Sequence, residues 1–319
     1  MNHERRIFMG IVVIGATFVD IKGFPLDAYI PAGRNAGKIE YIHGGVSRNV
    51  VEDIANLELR PTFISIIDES ALGQDVVDRL NNHKVNTQYV QKVPNGMGTW
   101  LAVFDENGDV AGSISQRPNL MPILDLLQEK GDEIISQCDS IVLEADINTE
   151  IIKLVFELAQ KYNKAVYSIV SNISIALERR DLLKKFDCFI CNQQEAGLLF
   201  NEDYSKKSAK ELCKIIEEKK ASAKMPALVV TMGSKGAVYV DKEGNSGICP
   251  ANKVHVNDTT GAGDAFCAGV ATGLTYGKTL EEAVQIGTRL AASVIVSSEN
   301  VCPRFLPQEF GIDIEAFHE

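Results

Sequence analysis

Asp258-Thr259-Thr260-Gly261-Ala262-Gly263-Asp264 is the segment of this chain best equipped to do chemistry. Gly261, Ala262 and Gly263 have little or no side chain, so their backbone N–H groups can approach an anion closely. Phe266, Gly269, Val270, Gly273 and Leu274 recur at helical spacing, which predicts a helix over 265–276 with Gly277 placed to end it. A helix starting there adds unpaired N–H groups and the positive end of its dipole. Asp264 sets a carboxylate beside that anion hole, which is costly unless the carboxylate has work to do. Taking a proton from a hydroxyl that attacks a phosphoryl group is such work. A plainer reading stays open, a tight strand-to-helix turn with Asp264 as its N-cap. A dinucleotide fingerprint fails on spacing, because its last glycine would fall at Phe266.

Three more constellations bear on function. In His43-Gly44-Gly45-Val46-Ser47-Arg48-Asn49, paired glycines let a small polar ligand touch the backbone. Ser47 is placed to cap the helix that follows, and Asn49 would sit in its first turns near that ligand. The alternative is a strand end and a capped helix with Arg48 solvated. Asn192 and Glu195 share one face of a helix start, where the Glu can hold a hydrated Mg²⁺ or simply favour the N-terminus. Thr231-Met232-Gly233-Ser234-Lys235-Gly236 offers a turn for phosphate or ribose, or a hairpin into the next strand. Cys188 and Cys191 form a C-x-x-C match inside an apolar run, where the sulfurs point to opposite faces, so they read as core packing. The five histidines show no ligand spacing.

These residues need a frame. Short apolar runs at 11–14, 62–67, 140–143, 165–168, 188–191 and 228–231 read as buried strands. Segments 47–57, 151–162, 208–219, 265–276 and 280–296 read as helices. Such alternation predicts a parallel sheet covered on both faces, with ligands at the carboxyl ends of its strands. Gly15–Asp20, Asp146–Asn148, Asn192–Glu195 and Gly233–Gly236 all fall there. Residues 21–43 and 97–117 break the alternation, the second with Asn107-Gly108 near a hairpin turn, and together predict a small β-lid. The 319 residues suit one large α/β domain or two smaller ones. A net charge of −11 with no basic stripe argues against a nucleic-acid surface. The absence of a long apolar run, of a cleavage-type segment after the run 7–14, and of an even, clustered set among the seven cysteines points to a cytoplasmic protein without membrane spans or disulfides.

With these motifs in this order, the chain resembles the ribokinase/PfkB family of small-molecule kinases over nearly its whole length. The resemblance implies a ribokinase-like fold, one α/β domain over 1–319 whose mostly parallel central sheet carries the lid segments 21–43 and 97–117. It implies ATP-dependent phosphorylation of a sugar-like hydroxyl. Asp264 would be the catalytic base, with Gly261, Ala262 and Gly263 around the transferring phosphate. Asn192 and Glu195 would serve the nucleotide and Mg²⁺, the latter through water, and Thr231, Gly233 and Gly236 would line the ATP site. Asp20, Gly44, Gly45, Asn49 and Asp146 would bind substrate. Asp258 and Thr260, facing the 297–300 loop, would be candidates for K⁺, and the lid would pair two copies into a homodimer. Residues 37–41 and 44–49 and the segment Asp146-Ile147-Asn148 are most similar to pseudouridine kinases, although Ser47 replaces their usual glycine and Ser168-Ile169 stands where many members have Asp-Pro. Another nucleoside, or a monosaccharide as in fructokinase-like and ribokinase-like members, stays open, while Val46 counts against ribokinase itself. A binding or regulatory protein that kept the fold and lost catalysis is the alternative from another class, and the intact Asp264 turn argues against it.

Overall fold

The computed structural model describes residues 9–318, so Ile7 and Phe8 of the first apolar run lie outside it. Strand β1 (Ile11–Ile14) leads into β2 (Phe18–Pro25), which returns as β3 (Gly37–Gly44) and enters helix α1 (Val46–Asn56). Next come β4 (Thr62–Ile67), α2 (Ala71–Asn82), β5 (Val90–Lys92) and the hairpin of β6 (Gly98–Phe104) and β7 (Val110–Gln116). Asp105 shapes that hairpin's turn, its Oδ1 accepting the N–H groups of Asn107 and Asp109. Then follow α3 (Met121–Gln137), β8 (Ser140–Glu144), α4 (Thr149–Tyr162), β9 (Val166–Ile169) and the one-turn helices α5 (Ile173–Ala176) and α6 (Arg180–Leu183). The rest comprises β10 (Phe189–Asn192), α7 (Gln193–Phe200), α8 (Ala209–Ala223), β11 (Leu228–Thr231), β12 (Ala237–Val240), β13 (Ser246–Cys249), α9 (Ala262–Thr275), α10 (Leu280–Ile295) and α11 (Ile314–His318).

The strands β5-β4-β1-β8-β9 are all parallel. β10 is parallel to β11, and β12 and β13 add an antiparallel edge. A bridge between Tyr167 and Cys188 joins the two groups at β9 and β10. β1, β4 and β8 are buried along their full length, as strands covered on both faces must be. Cys188 and Cys191 pack into the two different core clusters, one on each side of β10. No helix among the described residues is long and apolar enough to cross a membrane.

The second sheet, β3-β2-β6-β7, stands apart from the first. β2 and β3 reach from Phe18 to Gly44, so Asp20 lies within this small sheet and not at the end of a central strand. Tyr41, Ile21, Leu101 and Ile114 form one cross-strand row over all four strands. Asp20 pairs with Ile42 and Trp100 in the adjacent row and so points to the opposite face. Tyr41, Leu101 and Ile114 are 57%, 40% and 69% exposed, which leaves the outward face of this sheet apolar.

Candidate active site

Helix α9 begins three residues earlier than its apolar period alone predicts, because Gly261 is its N-cap. Gly261 has φ 80°, and a Cβ there would lie 1.9 Å from the carbonyl oxygen of Asn300, so both backbone shape and space demand glycine. Asp258 sets up the turn, its Oδ1 accepting the backbone N–H of Thr260 at 2.9 Å and its hydroxyl at 2.8 Å. The Ala262 N–H is spent on the Thr259 carbonyl at 3.2 Å. The N–H groups of Gly263 and Asp264 have no acceptor among the described residues. They are free donors at the positive end of a 14-residue helix, the arrangement that holds an anion.

Asp264 does not cap that helix. Its Oδ2 accepts a hydrogen bond from Asn49 Nδ2 at 2.6 Å. Burial pushes its carboxyl up to about 6, with Asn49 and the Arg48 charge opposing and Asp20 and Glu195 adding to the rise. That value suits a proton acceptor near neutral pH.

The Asn49 side belongs to α1, whose N-cap is Gly45 and not Ser47. Ser47 fails to cap because its hydroxyl donates to Glu144 Oε2 at 2.7 Å. Arg48 is not solvated but fully buried. Its guanidinium pairs with Glu52 one turn on and donates to the His43 carbonyl and to Asn49 Oδ1. Asn300 Nδ2 reaches the same Asn49 oxygen at 3.3 Å. With two donors on its oxygen, the Asn49 amide must turn its NH₂ toward Asp264. Asp20 lies directly over Gly44, where a Cβ would meet its Oδ1 at 2.6 Å. Burial raises its carboxyl, while Lys22 and Arg48 pull it back.

Asp146 stands differently. Its buried carboxylate is paired with Arg117 and accepts the N–H groups of Ser171 at 2.9 Å and Asn172 at 3.1 Å. No hydrogen bond joins it to Asp20, Asn49 or Asp264 among the described residues. It lines a separate cavity together with Arg117 and Glu144.

On the other side of α9, Asn192 and Glu195 cap α7 reciprocally. Asn192 Oδ1 accepts the Glu195 N–H at 2.8 Å and Glu195 Oε2 accepts the Asn192 N–H at 2.7 Å. Glu195 Oε1 carries no hydrogen bond among the described residues, which leaves it to meet a hydrated cation. Burial raises the Glu195 carboxyl, with Asn192 opposing. Among the described residues no group of three or more His, Cys, Asp or Glu side chains could enclose a metal. A metal that keeps most of its waters fits such a site, and a fully protein-ligated one does not. Thr231, Gly233 and Gly236 line a largely apolar cavity of about 150 Å³ that ends on Gly263 and Phe266. Thr231, Gly233 and Asn192 also line a neighbouring cleft of about 770 Å³. The Asn192, Thr231 and Gly261–Gly263 motifs therefore converge on one side of Asp264, and the Gly44–Asn49 motif on the other.

Glu144, which holds Ser47, and Arg117, which holds Asp146, belong to none of the motifs read from the sequence, and Arg48 reads there only as a solvated side chain. Glu144 ending the apolar strand Ser140–Glu144 is the available signal.

The model of the pfkB family of carbohydrate kinases matches residues 10–305. A guanosine-inosine kinase from Exiguobacterium acetylicum is 34% identical over 91% of this chain and 95% of its own length. A pseudouridine kinase from Escherichia coli (strain K12) is 26% identical over 86% of this chain and 87% of its own. The structure of Arabidopsis thaliana ribokinase complexed with ribose and ATP superposes with a TM-score of 0.84, covering 95% of this chain and 99% of that one at 20% identity. At that identity the likeness speaks for the fold.

Proposed function

The chain belongs to the pfkB family of carbohydrate kinases and is thus a phosphotransferase with a hydroxyl acceptor, and we propose that its acceptor is a nucleoside. The observation that carries the mechanism is the 2.6 Å contact between Asn49 and Asp264, which ties the acceptor motif to the phosphate-binding turn. Asp264 takes the proton of the acceptor hydroxyl as that oxygen attacks the γ-phosphorus of ATP, the bond from that phosphorus to the bridging oxygen breaks, and ADP leaves. Asn49 holds the carboxylate in place, and Asp20 over Gly44 holds neighbouring hydroxyls. The free N–H groups of Gly263 and Asp264 meet the phosphoryl oxygens, where charge stabilisation matters most. A hydrated Mg²⁺ held through Glu195 would neutralise phosphate charge when bound. Asp258 spends Oδ1 on Thr260 and keeps Oδ2, an oxygen that suits a loosely held K⁺.

The resemblance of residues 37–41 and 44–49 to pseudouridine kinases favours pseudouridine. The higher identity to a guanosine-inosine kinase, over more of the chain, favours guanosine and inosine, which we place first. A coupled assay of ADP release across guanosine, inosine, pseudouridine, uridine, adenosine, ribose and fructose tests this. Turnover is expected with guanosine and inosine, dependent on Mg²⁺. Turnover confined to ribose or fructose would replace the nucleoside by a monosaccharide. The exposed apolar row of the small sheet supports pairing of two copies through that face.

A further inference from the structure

A cavity of about 190 Å³ opens where β1 and β8 end, beside the acceptor motif. Phe18, Arg117, Glu144, Asn148 and Arg179 contribute to its wall, a mixture of ring, guanidinium, amide and carboxylate. Glu144 is 1% exposed, and its Oε2 accepts the Ala16 N–H at 2.9 Å and the Ser47 hydroxyl at 2.7 Å. Its Oε1 carries no hydrogen bond among the described residues. An acceptor that opens on a cavity and has no protein partner is free to take a donor from a ligand in place of water. Arg117 is anchored by the Asp146 carboxylate and carbonyl, and Arg179 by the Ile147 carbonyl. Each guanidinium has N–H groups left over after these anchors.

The cavity is tied to the acceptor side of the active site by neighbouring residues of two elements. Phe18 and Asp20 are two apart on β2 and share a face. Ser47, bonded to Glu144, is two residues from Asn49. A nucleoside whose ribose lies under Asp20 would direct its base over Phe18.

We propose that this cavity binds the acceptor's base and selects a lactam edge, a ring carbonyl beside a ring N–H. This rests on the nucleoside reading above. An arginine N–H donates to the carbonyl, Glu144 Oε1 accepts the ring N–H, and the Phe18 ring covers the base face. Guanine, hypoxanthine and the uracil ring of pseudouridine all carry that edge. Adenine presents an amino donor and a bare ring nitrogen instead, which sets donor against donor and leaves Glu144 unmatched.

Titration calorimetry of the full chain without ATP, using guanosine, inosine, adenosine and purine riboside, tests the proposal. Guanosine and inosine should bind about 10–100-fold tighter than adenosine and purine riboside. Arg179→Met, which spares the buried Arg117–Asp146 pair, should shrink that gap. Equal binding of all four by the parent protein overturns the lactam assignment, whatever the variant does. So does an undiminished gap in both Arg179→Met and Glu144→Gln. If no nucleoside binds while ribose or fructose is phosphorylated, the nucleoside reading falls and the proposal falls with it. Nucleoside turnover without base preference removes the proposal alone.

Discussion

At the scale of single residues, Asp264 has one oxygen held by Asn49 and one left for the acceptor. Asp264→Asn should lower kcat by about 10²–10⁴ with the KM for ATP little changed, because a general base acts in the transition state and not on the bound nucleotide. Steady-state kinetics with both substrates varied would measure it, and parent-like turnover would dismiss Asp264 as the base. The raised carboxyl, at about 6, fixes a pH dependence. The base works when ionised, so kcat should be level above pH 7 and fall about tenfold per unit well below 6. A kcat profile flat down to pH 5 would contradict that. Asp264 and its glycines are legible in the sequence because helix start, turn and carboxylate are all local. Arg48 is not, because its reach to Asn300 spans 252 positions and only the fold brings them together. Ser47 misleads for the same reason, since its partner Glu144 is 97 residues away and outcompetes a local cap.

Among elements, the α9–α10 pair decides where the anion hole sits. A Cβ on Gly269 would meet the Gly287 Cα at 2.6 Å, so the two helices touch through backbone. Gly287→Ala would press on the Phe266 carbonyl, 2.6 Å from the added carbon, near the first turn that presents Gly263 and Asp264. It should destabilise the fold by about 1–3 kcal/mol, the usual cost of overpacking, and raise the KM for ATP. Urea denaturation with parallel kinetics would detect both, and unchanged stability would place slack between the helices. Period and punctuation foretell these elements to within a few residues. The start of α9 is missed because a glycine cap extends a helix beyond its apolar stripe. Asp20 is misplaced at a central strand end because β2 follows β1 with only three residues between, and nothing in its letters says which sheet it joins.

For the whole molecule, the acceptor motif and the phosphate turn come from opposite ends of the chain and meet under a small sheet with an apolar outer face. Light scattering after size exclusion should report a dimer for the parent protein, and Leu101→Glu should shift it to monomer by burying a charge in the paired face. A monomeric parent would leave that face to another partner. The parallel sheet is legible in the alternation of strand and helix, and the two breaks at 21–43 and 97–117 foretell one small sheet, but which of its strands pair, β2 with β6, is a long-range matter that no local signal encodes. The Asn49 amide has a further consequence, one of timing. Its second donor, Asn300, lies 251 residues downstream. At roughly 5–20 residues per second of synthesis, a growing chain carries its acceptor motif for tens of seconds before the residue that orients it exists. Until then nothing from Asn300 holds that amide toward the place where Asp264 will stand. Asp264 and Asn300 both come late in the chain, so the Asn49 contacts to them cannot form until most of the protein has been made.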